Sequence, residues 1–184
     1  MNSTDLAAHY LDEARRQFRG HKKLGEGALA QLKDEEFLAA LDPEANSVAI
    51  IVKHLAGNMR SRFTDFLTTD GEKPDRNRDQ EFELGPTAKR DDIMRWWETG
   101  WSHALSALDE LKPEDLTRTV TIRNEPHSVL QAINRQLAHY AYHVGQIVFL
   151  AKHFRASEWS SLSVPRGKSE EFNRKMAERA SKSA

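Results

Sequence analysis

His139 and His143 are the residues of this chain best suited to chemistry. They lie in Ala138-His139-Tyr140-Ala141-Tyr142-His143-Val144-Gly145-Gln146-Ile147, a strongly helical stretch. Helical residues four apart project from one face, a turn from each other. Two neutral imidazoles so placed can grip one transition-metal ion. Alone, the pair is a weak signal, because a chain with this many histidines holds some such pair by chance about one time in three. A metal site also needs at least a third ligand.

The best third ligand is His54, in Val52-Lys53-His54-Leu55-Ala56-Gly57-Asn58. Ser47, Asn58, Ser61 and Asp65 fall near its helical angle, as does Ile50. They form a narrow polar stripe on an otherwise apolar helix. Either that stripe faces the fourth helix and builds an interior site, or His54 begins a solvated face. Tyr140 follows His139 where a zincin would carry its glutamate base, so the zincin pattern is absent. Three histidines with open positions could hold water or substrate. Asn58, Arg135, Gln146 and His103 are the candidates to support the ligands or touch substrate. Arg135, one turn before His139, either meets an anionic substrate group or makes an ordinary ion pair. His103 follows Trp96-Trp97-Glu98-Thr99-Gly100-Trp101 and either lines the cavity or packs. His9, His21, His127 and His153 read as surface or helix-end residues.

Four helical segments must position these side chains. The first is expected from about Ser3 to Phe18, capped by Ser3 or Thr4 and ended by Gly20, Gly25 and Gly27. A short helical turn over 27–38 follows. The second runs from about Asn46 or Ser47 to Leu67, and the third from about Thr87, as cap, to Leu111, where Lys112-Pro113 stops it. Residues 68–86, dense in charge and carrying Asp70-Gly71 and Pro74, read as an exposed loop. Residues 117–123 alternate and are rich in β-branched types, so they predict one short strand, half of a hairpin, with Asn124-Glu125-Pro126 as the turn. The fourth helix runs from Pro126 or His127 to His153. On it, Leu130, Ile133, Leu137, Tyr140, Val144 and Ile147 share an apolar face, with His139 and His143 opposite. Tyr142, Phe149 and Leu150 leave little polar surface on the far side, which favours burial on both sides, one against the bundle and one against a neighbouring subunit. The expected fold is all-α: a four-helix bundle with a long second-to-third connection and a short strand or hairpin before the last helix. Residues 1–155 form the bundle and 156–184 a polar C-terminal extension.

Composition narrows the function. A formal net charge of −1 gives no global field that would favour nucleic acid or an acidic membrane. Residues 152–184 hold eight Lys or Arg against four Glu, a small excess that reads as a solvated tail. The chain has no cysteine, which removes a disulfide scaffold, a zinc ribbon and a cysteine nucleophile. It also has no apolar run long enough to span a bilayer and no visible signal peptide, so the expected compartment is cytoplasmic.

Three strings together carry a resemblance. They are Ile51-Val52-Lys53-His54-Leu55-Ala56-Gly57-Asn58-Met59, the stretch from Ile133 through His139 and His143 to Ile147, and Ser161-Leu162-Ser163-Val164-Pro165-Arg166-Gly167-Lys168-Ser169. A histidine in the second helix, then two histidines four apart leading into Gly-Gln-Ile, resembles the DinB/YfiT-like superfamily of metal-dependent proteins, over nearly the whole chain. The resemblance implies a DinB-like bundle with His54, His139 and His143 as metal triad. It implies a divalent ion, nickel or zinc foremost, and a homodimer. Relatives with thiol-dependent S-transfer activity make a low-molecular-weight thiol a further expected cofactor, although no residue here identifies one. The expected function is a metal-dependent transferase or hydrolase. The alternative is a non-catalytic metal-binding or stress-response interaction protein.

Overall fold

The computed structural model describes residues 3–182. The fold is all-α, with five helices among the described residues: α1 (Ser3–Leu29), α2 (Val48–Phe63), α3 (Arg90–Glu110), α4 (Val129–Arg155) and α5 (Ser169–Lys182). One antiparallel hairpin, β1 (Thr119–Ile122) and β2 (Glu125–Ser128), precedes α4. The first four helices form the bundle; α2 packs chiefly on α3, and α1 on α4. The side chains of Ser3 and Thr4, expected to cap α1, lie outside the described residues.

Several boundaries differ from those read in the sequence. α1 does not stop at Gly20 but continues to Leu29. A glycine inside a helix costs only about 1 kcal/mol relative to alanine, and here packing offsets it. A Cβ at Gly25 would overlap the Trp97 ring, so the glycine lets the indole lie directly on the α1 backbone. The helical turn expected over 27–38 is a short 3-10 turn at Asp34–Phe37. α3 starts at Arg90 rather than after a Thr87 cap, because the Asp92 carboxylate accepts from the Lys89 N–H at 3.2 Å. The hairpin turns at Arg123 and Asn124, both left-handed (φ 56° and 63°), as a type I′ two-residue loop requires. Pro126 is therefore not in the turn but pairs with Thr121. Ser128 then starts α4 with a reciprocal cap: its hydroxyl accepts from Gln131 N–H at 3.1 Å, and Gln131 Oε1 accepts from Ser128 N–H at 2.8 Å.

The centre of the core is aromatic. Tyr140 is fully buried and meets Phe18 and Trp101 edge-on at 5.7 and 5.8 Å between centroids. Burying Tyr140, Val144 and Ile147 fixes the rotation of α4. That rotation turns His139 and His143 to the flank beside α2. Past α4, Trp159 and Leu162 pack on the core, and the Gln31 amide exchanges two hydrogen bonds with the Ser160 backbone. α5 contributes no buried residue. No described helix is long and apolar enough to cross a membrane.

Candidate metal centre

Ser47 caps α2, its hydroxyl accepting from Ile50 N–H at 3.3 Å, and the helix presents His54 two turns later. α4 brings His139 and His143 to the same place. One ligand atom from each histidine lies within 4.8 Å of the others, so the three could bind a metal. His54 Nε2 and His139 Nε2 stand 3.4 Å apart. Two nitrogens held at about 2.1 Å from one ion in tetrahedral geometry are separated by about 3.4 Å, so this pair already has a fitting spacing.

The surroundings make these imidazoles good ligands. Burial, followed by the neighbouring His143 and His54 and by Arg62 and Arg76, lowers His139 to about 3. Burial likewise lowers His143 to about 4, partly opposed by its hydrogen bond to Gln146. Both are neutral at physiological pH, the state a metal needs. The outer nitrogens are fixed as well. His54 Nδ1 meets Glu81 Oε2 at 2.8 Å, and His143 Nδ1 meets Gln146 Oε1 at 2.7 Å. A carboxylate or amide oxygen only accepts, so Nδ1 carries the proton, and in the neutral ring Nε2 is left with its lone pair. Metal-ligating histidines are usually oriented by such outer hydrogen bonds. The donor set thus fits a metal ion.

Glu81 was not foreseen from the sequence. It sits on a 3-10 turn (Asp79–Phe82) inside the α2–α3 connection and is 6% exposed. Burial alone would raise its carboxyl, but His54 and a two-pronged contact from Arg76 (2.8 and 2.9 Å) hold it below the ordinary range. Arg76 continues to Glu72, which also receives Arg62 and Arg123. Phe82 lies over the His54 ring at 5.0 Å. The connection expected as an exposed loop is therefore a wall of the site. It is closed by paired charges, a form that a charged, aperiodic segment does not advertise.

The wall needs Gly57. A Cβ there would overlap Glu81 Oε1, so the glycine lets the carboxylate sit against α2. Gly57→Ala should push Glu81 off His54 and weaken metal binding about tenfold or more, the usual effect of losing an outer-sphere partner. A competitive chelator titration would measure it. Unchanged affinity would show that Glu81 does not act on the centre.

The other foreseen residues divide. Asn58 is buried beside His54 and accepts from the Tyr140 hydroxyl at 3.0 Å. Gln146 orients His143, and Arg135 lines the cavity over the triad. His103 belongs elsewhere: it lines a separate cavity with Asp65, Thr68 and Glu110, because its position on α3 faces the end of α2 and not its middle.

Residues 5–168 match the family described as "Protein of unknown function (DUF1572)". The chain belongs to this DUF1572 family. The matched span takes in the triad, the wall and the hairpin, and it ends one residue before α5. No curated protein matches the chain.

Proposed function

We propose that this DUF1572 chain is a divalent-metal-dependent enzyme of the DinB-like type, performing S-transfer or hydrolysis at the three-histidine centre. The observation that carries this reading is a cavity of about 570 Å³ directly over His54, His139 and His143. A purely structural ion is normally closed in by four protein ligands, whereas a catalytic one keeps open positions. Nickel or zinc suits imidazole donors. When bound, the ion would polarise a substrate group and make a thiol or water a better nucleophile. The protein's part is orientation. Glu81 and Gln146 hold two of the imidazoles, Asn58 is locked by Tyr140, and Phe82 covers His54.

A second reading has its own support. α2 and α4 touch only lightly, so an ion would pin two helices that little else joins. In that case metal would stabilise without turning over substrate. A homodimer through the exposed Phe149 side of α4 accompanies the first reading.

The test is turnover. Nickel- and zinc-loaded protein would be screened against thiol-acceptor pairs and ester, amide and phosphoester substrates, beside His143→Ala. Turnover that needs both the metal and His143 is the expected result. Metal-loaded protein that is stabilised yet inert across both classes would favour the structural ion.

A further inference from the structure

The cavity over the triad is ringed by guanidinium groups. Arg62, Arg76, Arg78, Arg123 and Arg135 all line it. Among the described residues, no Asp, Glu or Lys side chain does. Three of these arginines are engaged from behind, sharing only two carboxylates, Glu72 and Glu81. Arg78 and Arg135 have no carboxylate partner among the described residues. Arg78 rests on the Phe82 ring, 4.9 Å from its centroid. Both arginines share the cavity lining with Tyr142, whose ring lies 5.2 Å from that of His139 and 4.3 Å from that of His143. Two guanidiniums without a carboxylate partner therefore line the same cavity as the imidazoles.

Five arginines against two carboxylates leave a surplus of positive charge around a site built for a cation. Like charges so placed repel, most strongly at the buried Arg62 and Arg76; Arg78, Arg123 and Arg135 are exposed and reach the same cavity from its solvent side. Arg62 is 5% exposed and, although its Nη1 is paired with Glu72, its Nε has no hydrogen-bond partner. A negatively charged occupant resolves the conflict, neutralising the ring while its other end reaches the histidines. The choice of arginine throughout is informative, because the planar fork matches a carboxylate or phosphate with two parallel hydrogen bonds. Phe82 and Tyr142 supply apolar faces for the rest of such a molecule.

We propose that the cavity takes a small molecule bearing a carboxylate or phosphate group, gripped by Arg78 and Arg135, with its reacting end toward the triad. The placement of the reacting end rests on the metal-centre reading above; the anion grip does not.

Calorimetric titration of the full chain, metal-free and zinc-loaded, would use benzoate, phenyl phosphate and neutral benzamide as probes. At least one anion should bind, and benzamide at least about tenfold more weakly, as expected when a charge-assisted pair is missing. The double variant Arg78→Gln/Arg135→Gln should lose about tenfold or more in anion affinity. Arg78→Lys/Arg135→Lys, which keeps charge without the fork, should fall between. Arg16→Gln, an exposed control on α1, should bind like wild type. Whichever of benzoate and phenyl phosphate binds tighter identifies the oxyanion. Benzamide binding as well as both anions, or an anion affinity unmoved in the double glutamine variant, overturns the proposal. Zinc uptake without anion preference would do so while leaving the metal centre standing. Anion preference in protein that takes up no metal would support the grip and remove the metal centre.

Discussion

Protein with His139 replaced by alanine should emerge from purification without metal, where wild type carries close to one equivalent. His139 is the ligand with the least redundancy. Its Nε2 faces His54 Nε2 at 3.4 Å, and its ring lies 4.8 Å from that of His143. Without it, two donors on different helices remain, and two imidazoles do not complete a site. Loss of an outer-sphere partner typically costs 10–100-fold in affinity, so loss of a ligand should exceed about a hundredfold. His54→Ala should behave alike. Elemental mass spectrometry on untagged protein is the measurement, since a histidine tag would itself carry metal. The metal-free His139 variant should still fold, because the core side chains around Tyr140 are untouched. Folded wild-type protein that gains no metal when nickel, zinc or manganese is supplied would sink the metalloenzyme reading.

Glu81→Ala should be the most destabilising single change in the wall. The carboxylate neutralises Arg76, whose side chain is only 2% exposed, and orients His54 at the same time. Removing one partner of a buried ion pair costs about 3–5 kcal/mol when the other charge is left uncompensated; Glu72 still reaches Arg76 at 3.2 Å, so the lower end of that range is expected. For a chain of this size that corresponds to a fall in Tm on the order of 10 °C. Glu81→Gln keeps the shape and one acceptor oxygen, so it should cost less in stability. It should still weaken metal binding, because an amide holds the His54 N–H less firmly than a carboxylate. Thermal melts of metal-free protein separate the two effects. A Tm for Glu81→Ala within about 2 °C of wild type would mean that Glu72 alone suffices to neutralise Arg76.

The elements that hold the ligands were legible because their signals are periodic. α2 and α4 show apolar faces, and the i, i+4 histidines and the β-branched alternation before Asn124 are local patterns. What escaped the sequence reading depends on distant contacts. Gly25 reads as a breaker until Trp97, far along the chain, is known to lie on it. Glu81 sits among Asp79, Gln80 and Glu83, and nothing local distinguishes a carboxylate that pairs with His54 from neighbours that face water. His103 shows the reverse error: an attractive residue type in an attractive aromatic stretch, carried by helix geometry to another cavity.

The knot at Asp70 bears on how tightly the centre can hold anything. This carboxylate accepts from the backbone N–H groups of Glu72, Arg123 and Asn124 at 2.7–2.9 Å, so it ties the wall to the hairpin turn. Besides such polar ties, residues 64–89 rest on the core through the partly buried Phe66, Leu67 and Leu84, whereas the four helices share a continuous, fully buried core. Segments of this kind open on their own, at less free energy than global unfolding. Each opening strips His54 of Glu81 while leaving His139 and His143 in place on α4. Occupancy of the centre is then the product of two quantities: the intrinsic affinity of the closed form and the fraction of time the wall is shut. Residues far from any histidine, Asp70 among them, thereby set the apparent dissociation constant.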